Sequence, residues 1–276
     1  MTATDLRMPL APPSGSRVGR LGDALASEWI KVSTLRVMYP LLALAGALAV
    51  GVGALLCAAA GDDPAARAAG GLPFDPVATA LSAMPYASVI VAAMAVTLVT
   101  SEYGSGMMRL TLSVTPSRWR VLGAKLLVAG VPALIAGIAF AAVSLAVGLP
   151  MLAARGVATP SLADPGVLGA IAGAGVGTCL VALLATCVAV TVRRTAPAVA
   201  LTNLIVFIPG IMYALPDWWQ RNLIAYLPTG ATGSLAGTVA TRSAATLPTA
   251  TAYLVVAGWA AALVVAAAMV LARRDA

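Results

Sequence analysis

A chain of 276 residues that is 61% apolar and only 10% charged cannot cover a water-soluble globule, whose residues are ordinarily about 25% charged. It reads as an all-α membrane protein. The net charge of +7 does not indicate nucleic acid, because the basic residues stand near the ends of apolar runs, where topology signals lie.

Residue types narrow the chemistry further. Histidine is absent, which removes imidazole triads, proton relays and histidine metal sites. Cys57, Cys179 and Cys187 lie inside apolar runs without metal-ligand spacing and read as small buried hydrophobes. No metal site is expected. The richness in Ala, Gly and Val, with Arg favoured over Lys, suggests a GC-rich bacterial genome.

Residues 1–20, rich in Pro, Ser and Gly and lacking periodicity, read as a disordered cytoplasmic tail. They are no signal peptide, since 37 residues precede the first apolar run. Over residues 21–37, Leu21, Leu25, Trp29 and Val32 recur at helical spacing, while Asp23, Ser27, Glu28 and Lys31 take other faces. This predicts an N-terminal amphipathic interfacial helix; an ordinary soluble cap is the alternative.

Residues 38–276 carry six apolar runs: Met38–Ala60, Ala83–Thr100, Leu126–Leu149, Val167–Val192, Ala196–Leu215 and Ala252–Ala272. Each is close to the roughly 20 residues that cross a bilayer as a helix. Only Arg193, Arg194 and Thr195 part the fourth run from the fifth, which predicts a tight helical hairpin. Pro132 is expected to bend the third helix, and Pro209–Gly210 to bend or break the fifth. With both termini in the cytoplasm, 13 Lys and Arg fall inside and four outside. That bias sets the expected orientation, a six-span protein with both ends cytoplasmic. The long outer loop, residues 216–251, opens on Trp218–Trp219, and reads either as one or two short interfacial or re-entrant helices or as a flexible linker.

No charge lies deep in any run, whereas ion-coupled transporters place carboxylates or histidines there. A phosphate-cradling loop needs a Gly-Lys pair; Lys31 follows Ile30 and Lys125 follows Ala124, so none exists. No catalytic residue and no cofactor is expected on this chain, and it does not read as an enzyme. Within the spans, Gly173 and Gly177 have the spacing of close helix approach. Asn203, the most polar residue at mid-depth, either hydrogen-bonds between helices or lines a substrate path together with Pro209.

The cytoplasmic loop 101–125 is basic and punctuated by Gly104 and Gly106, which let the chain leave the membrane. Residues 107–114 fit a helical face through Met107, Leu110 and Val114, and equally an alternating strand. Thr115–Pro116 looks like the cap and first turn of the third span. On residues alone the loop is either a docking element or a short connector carrying topology charge.

Several of these stretches resemble one family. Ser27-Glu28-Trp29-x-Lys31, and Ser101-Glu102-Tyr103-x-x-Gly106 followed by Arg109, Pro116, Arg118 and Lys125, are similar to permease subunits of type-2 ATP-binding-cassette exporters. Tyr226-Leu227-Pro228 before the last span is similar to their outer segment. The resemblance implies a bacterial plasma-membrane exporter subunit, working as a homodimer or with a paired permease subunit. Separate cytoplasmic ATPases would bind ATP and Mg, with Glu28, Lys31, Glu102, Gly106, Arg109, Pro116, Arg118 and Lys125 coupling to them. It further implies that the first, second and fifth spans flank the substrate path. Gly104 and Ser105 depart from the basic or bulky residues frequent in that family. The competing readings are a non-transporting membrane anchor or assembly factor, and a secondary transporter.

Overall fold

The computed structural model describes residues 21–60, 74–108, 117–212, 214–238 and 246–273. The tail 1–20, Arg109, Pro116 and the helix-or-strand question over 109–114 lie outside the described residues. Among those described there is no strand.

The chain forms α1 (Leu21–Thr34), α2 (Met38–Ala59), α3 (Pro76–Leu81), α4 (Met84–Gly104), α5 (Arg118–Ala153), α6 (Pro165–Val192), α7 (Thr195–Met212), α8 (Asp217–Asn222), a 3-10 turn (Ile224–Tyr226), α9 (Pro228–Leu235) and α10 (Thr249–Arg273). Six are long and apolar enough to cross a bilayer, with α3 and α4 together making the second span. The protein is an all-α, multi-pass membrane fold.

α6 is the centre of the bundle. In its most apolar window 61% of the residues are buried, against 22% in α2, α7 and α10. It packs on α4, α5, α7, α9 and α10, so the three poorly buried spans turn most of their apolar surface outward. Leu55 on α2, Ile211 on α7 and Leu254 on α10 are all exposed in this way. In water such surface would drive aggregation; in hydrocarbon it is solvated.

The helix starts sharpen some expectations and correct others. α5 begins at Arg118, with extended Ser117 at the cap position and no side-chain cap. The start predicted at Thr115–Pro116 is therefore displaced by two residues. α5 runs on through Pro132 and Pro150 for 36 residues, about 54 Å at the helical rise. That exceeds the ~30 Å of hydrocarbon, so the helix projects beyond its apolar run at both ends. α7 also passes through Pro209 unbroken and stops at Met212. The α6–α7 hairpin is as tight as predicted: α6 ends at Arg193, held left-handed at φ 59°, and α7 starts at Thr195.

Most of the described part of residues 216–251 is helical. α8, the 3-10 turn and α9 follow one another, and α9 lies against α6 and α10. Gly173 makes that contact possible. A Cβ there would stand 2.4 Å from the Leu235 carbonyl carbon, a distance no side chain tolerates. Gly177 faces Thr232 of the same helix, so the Gly-x-x-x-Gly pair serves packing within the chain. Trp259 Nε1 donates to the Tyr226 carbonyl at 2.8 Å and ties the segment to the last span. α3 is seated in a similar way. Asp75 caps its N-terminus by accepting from the Val77 and Ala78 amides, and Gly53 of α2 leaves room for the Ala80 carbonyl.

The bundle thus has two unlike ends. One holds α1, the end of α4, the start of α5, the α6–α7 turn and the end of α10. The other holds α3, α8 and α9. Eight of the ten described Lys and Arg residues lie at the first end; Arg155 and Arg221 lie at the second.

Candidate functional site

At the basic end, four charges from three elements meet. Glu28 and Lys31 come from α1, Glu102 from the last turn of α4 and Lys125 from the third turn of α5. Lys31 Nζ lies 2.8 Å from Glu28 Oε1 and 2.9 Å from Glu102 Oε1. Lys125 Nζ lies 3.0 Å from Glu28 Oε2 and 2.6 Å from Glu102 Oε2. The last contact is an ion pair and not a hydrogen bond. Each carboxylate therefore bridges both lysines, one oxygen to each, and the charges alternate around a closed ring.

Burial makes this ring costly to disturb. The side chains of Glu28, Glu102 and Lys125 are 9%, 6% and 4% exposed, while Lys31 is 27% exposed. Removing an ion from water costs several kcal/mol, which its partners must offset. Here every ion has two opposite neighbours. For Lys31, burial disfavours the charge, but the hydrogen bonds and attraction from Glu28 and Glu102 outweigh it, so its ammonium is held above the ordinary 10.5. A lysine raised in the folded state contributes stability that is fully present below its ordinary pKa and lost as pH climbs through the raised value. The clasp at Lys31 is thus intact across the physiological range.

The ring alters the expected amphipathicity of α1 in part. Trp29 and Ile30 are 53% and 59% exposed, while Glu28 is buried against the spans. Leu25 and Val32 are half-buried. With Glu28 inward and Trp29 and Ile30 outward, this part of α1 suits the lipid boundary.

Around the ring the same end is closed by shorter links. Arg118 donates to the carbonyls of Leu271 and Ala272, at 3.3 Å for the latter. It thereby joins the start of α5 to the carbonyl end of α10, where a cation is favoured. The Arg193 guanidinium sits 5.1 Å above the Tyr103 ring, and the Thr100 and Thr195 hydroxyls are 2.8 Å apart. Gly106, at φ 72°, takes the left-handed turn that ends the second span.

Of the eight residues singled out for coupling, four are brought into one cluster, while Arg118 caps the neighbouring helix and Gly106 turns the chain. Arg109 and Pro116 lie outside the described residues. Asn203 and Pro209 stand apart on α7, where Pro209 is buried and the Asn203 Oδ1 is buried without a hydrogen-bond partner. The Arg118 cap and the Arg193–Tyr103 stack were not read from the sequence. A legible clue existed for both: a basic residue at one helix end facing carbonyls or an aromatic at the same depth on another.

Among the described residues no group of His, Cys, Asp or Glu is placed to hold a metal ion. The ring holds no nucleophile and no acid–base pair free to exchange protons with a substrate. What it does is tie α1 to the ends of α4 and α5. No protein-family model matches the chain, and no curated protein matches it.

Proposed function

We propose that this protein is the membrane-spanning permease subunit of a bacterial exporter driven by separate cytoplasmic ATPases of the ATP-binding-cassette class. The observation that carries this reading is the four-charge ring. Glu28, Lys31, Glu102 and Lys125 come from the two stretches that resemble the family's docking regions, and they meet although 97 positions separate Glu28 from Lys125. A soluble motor pressing on α1 or on the connector after α4 would move both spans as one lever. In this reading the ring is the internal linkage of the coupling element, and the exposed side chains around it touch the ATPase.

The orientation is part of the same proposal. An even number of crossings puts both termini on one side, and the concentration of Lys and Arg at the ring end supports a cytoplasmic placement for it. A cysteine at Asp217 should then react with a membrane-impermeant thiol reagent in intact cells, and one at Ser105 only after permeabilisation. Both positions are exposed; the reverse pattern would contradict the orientation.

The direct test of function is co-purification with the ATPase encoded by a neighbouring reading frame, recognised by its Gly-x-x-x-x-Gly-Lys-[Ser/Thr] loop. The complex should form, and Glu102→Lys should lower ATPase stimulation while the subunit still inserts. Stimulation unchanged by this substitution would refute the coupling role. Complex formation without any ATP-driven transport would favour the membrane anchor.

A further inference from the structure

Beside the ring, two cavities run into one cleft between α1, α2, α4 and α5. The first, about 330 Å³, is bordered by the ring, Thr34, Ser101 and Ser105. The second, about 240 Å³, continues it past Leu42, Val91, Met94, Pro132 and Ala136. Val32, Leu98 and Ala129 wall both. Polar groups line the ring end, and the far end is apolar. Val91 lies eleven residues before Glu102, and Ala136 eleven after Lys125, so the cleft reaches about 16 Å along both helices. One leaflet of hydrocarbon is about half of ~30 Å. A cleft one leaflet deep with charges at its mouth has the dimensions of a single lipid chain and its head group.

The mouth also specifies the head. Two lysines and two glutamates make the ring neutral, so it exerts no net attraction on an anion. An ammonium has three donors; Lys31 gives one to Glu28 and one to Glu102, which leaves a third on the ring member most open to solvent. That donor suits the phosphate oxygen of a lipid head whose net charge, like that of the ring, is zero. Trp29 and Tyr39 flank the cleft, as aromatics do at head-group level. We propose that this cleft is a binding site for one zwitterionic phospholipid of the ring-side leaflet, with its phosphoethanolamine head over Lys31 and one acyl chain between α4 and α5. The site depends only on the chain spanning a membrane, and it stands or falls separately from the exporter reading.

The test is reconstitution into vesicles of equal phosphatidylethanolamine and phosphatidylglycerol, mild extraction and native mass spectrometry of the lipid that stays bound. The wild type should retain phosphatidylethanolamine in preference. Ala129→Phe, which fills the cleft, should cut retention by about tenfold or more, since even two displaced methylenes are worth that. Leu127→Phe, on the outward face at 45% exposure, should leave it unchanged. Equal retention by wild type and Ala129→Phe, or retention of the two lipids in proportion to their supply, would overturn the proposal. A photoreactive group at mid-chain of phosphatidylethanolamine gives a readout on the unaltered protein. Labelling at Val91 or Met94 would support the site, and labelling confined to outward residues such as Ile135 and Leu254 would refute it.

Discussion

The two ends of this bundle are fastened by opposite means. The ring end uses charge: four ions drawn from α1, α4 and α5 satisfy one another where water hardly reaches. The other end uses shape: α3 and α9 approach the spans so closely that only glycine fits at Gly53 and Gly173. The Arg221–Asp217 ion pair there, at 3.4 Å, is exposed at both partners and is worth little. Packed shape is rigid but cannot be switched, whereas an ion ring can be opened by a competing charge.

The contrast is broken most severely at the ring. Lys125→Met leaves Glu102 and Glu28 each with one cation instead of two, and should destabilise the protein by about 3–5 kcal/mol. The loss would be read from thermal or denaturant unfolding in detergent. At the other end, Gly230→Ala would place a methyl group 2.0 Å from the Ile224 carbonyl oxygen. Overpacking of that kind costs about 1–3 kcal/mol. It should loosen α9, as faster amide exchange over residues 228–235, without changing exchange in α1. Asp75→Ala removes the cap of α3 and should cost about 1 kcal/mol. The smallest effect concerns salt. Because the ring is buried, raising the salt concentration should barely shift unfolding, since buried pairs are screened far less than exposed ones.

The six spans were legible in the sequence because each needs only a run of apolar residues long enough to cross, and five of the six run starts fall within three residues of the start of α2, α4, α6, α7 or α10. The third run is the instructive member. It begins at Leu126, but the helix begins at Arg118, because Arg118 and Lys125 carry charges that hydropathy excludes and that α10 and the ring satisfy. Glu28, Lys31, Glu102 and Lys125 were legible as a resemblance and as charges at helix ends, but not as a ring. Closing it requires that α1 fold back onto α4 and α5, and no local periodicity contains that information. α1 shows the same limit: counting faces assigned Glu28 to the polar side, whereas pairing across the fold buried it. In the sequence a flexible linker competes with the short helices α8 and α9, because six- and eight-residue helices have little pattern of their own.

The ring can be told from two independent ion pairs by exchanging charges. If Glu28–Lys31 and Glu102–Lys125 were separate, Glu102→Lys with Lys125→Glu would restore wild-type stability. In a ring, that exchange sets Lys31 against a new cation and Glu28 against a new anion. The double variant should therefore remain as unstable as either single one, and inverting all four positions together should recover most of the loss. Thermal unfolding of these variants in the same detergent decides between the two arrangements. Failure of the exchanged pair, with rescue by the fourfold inversion, is the result the ring requires. Full rescue by the exchanged pair alone would contradict it.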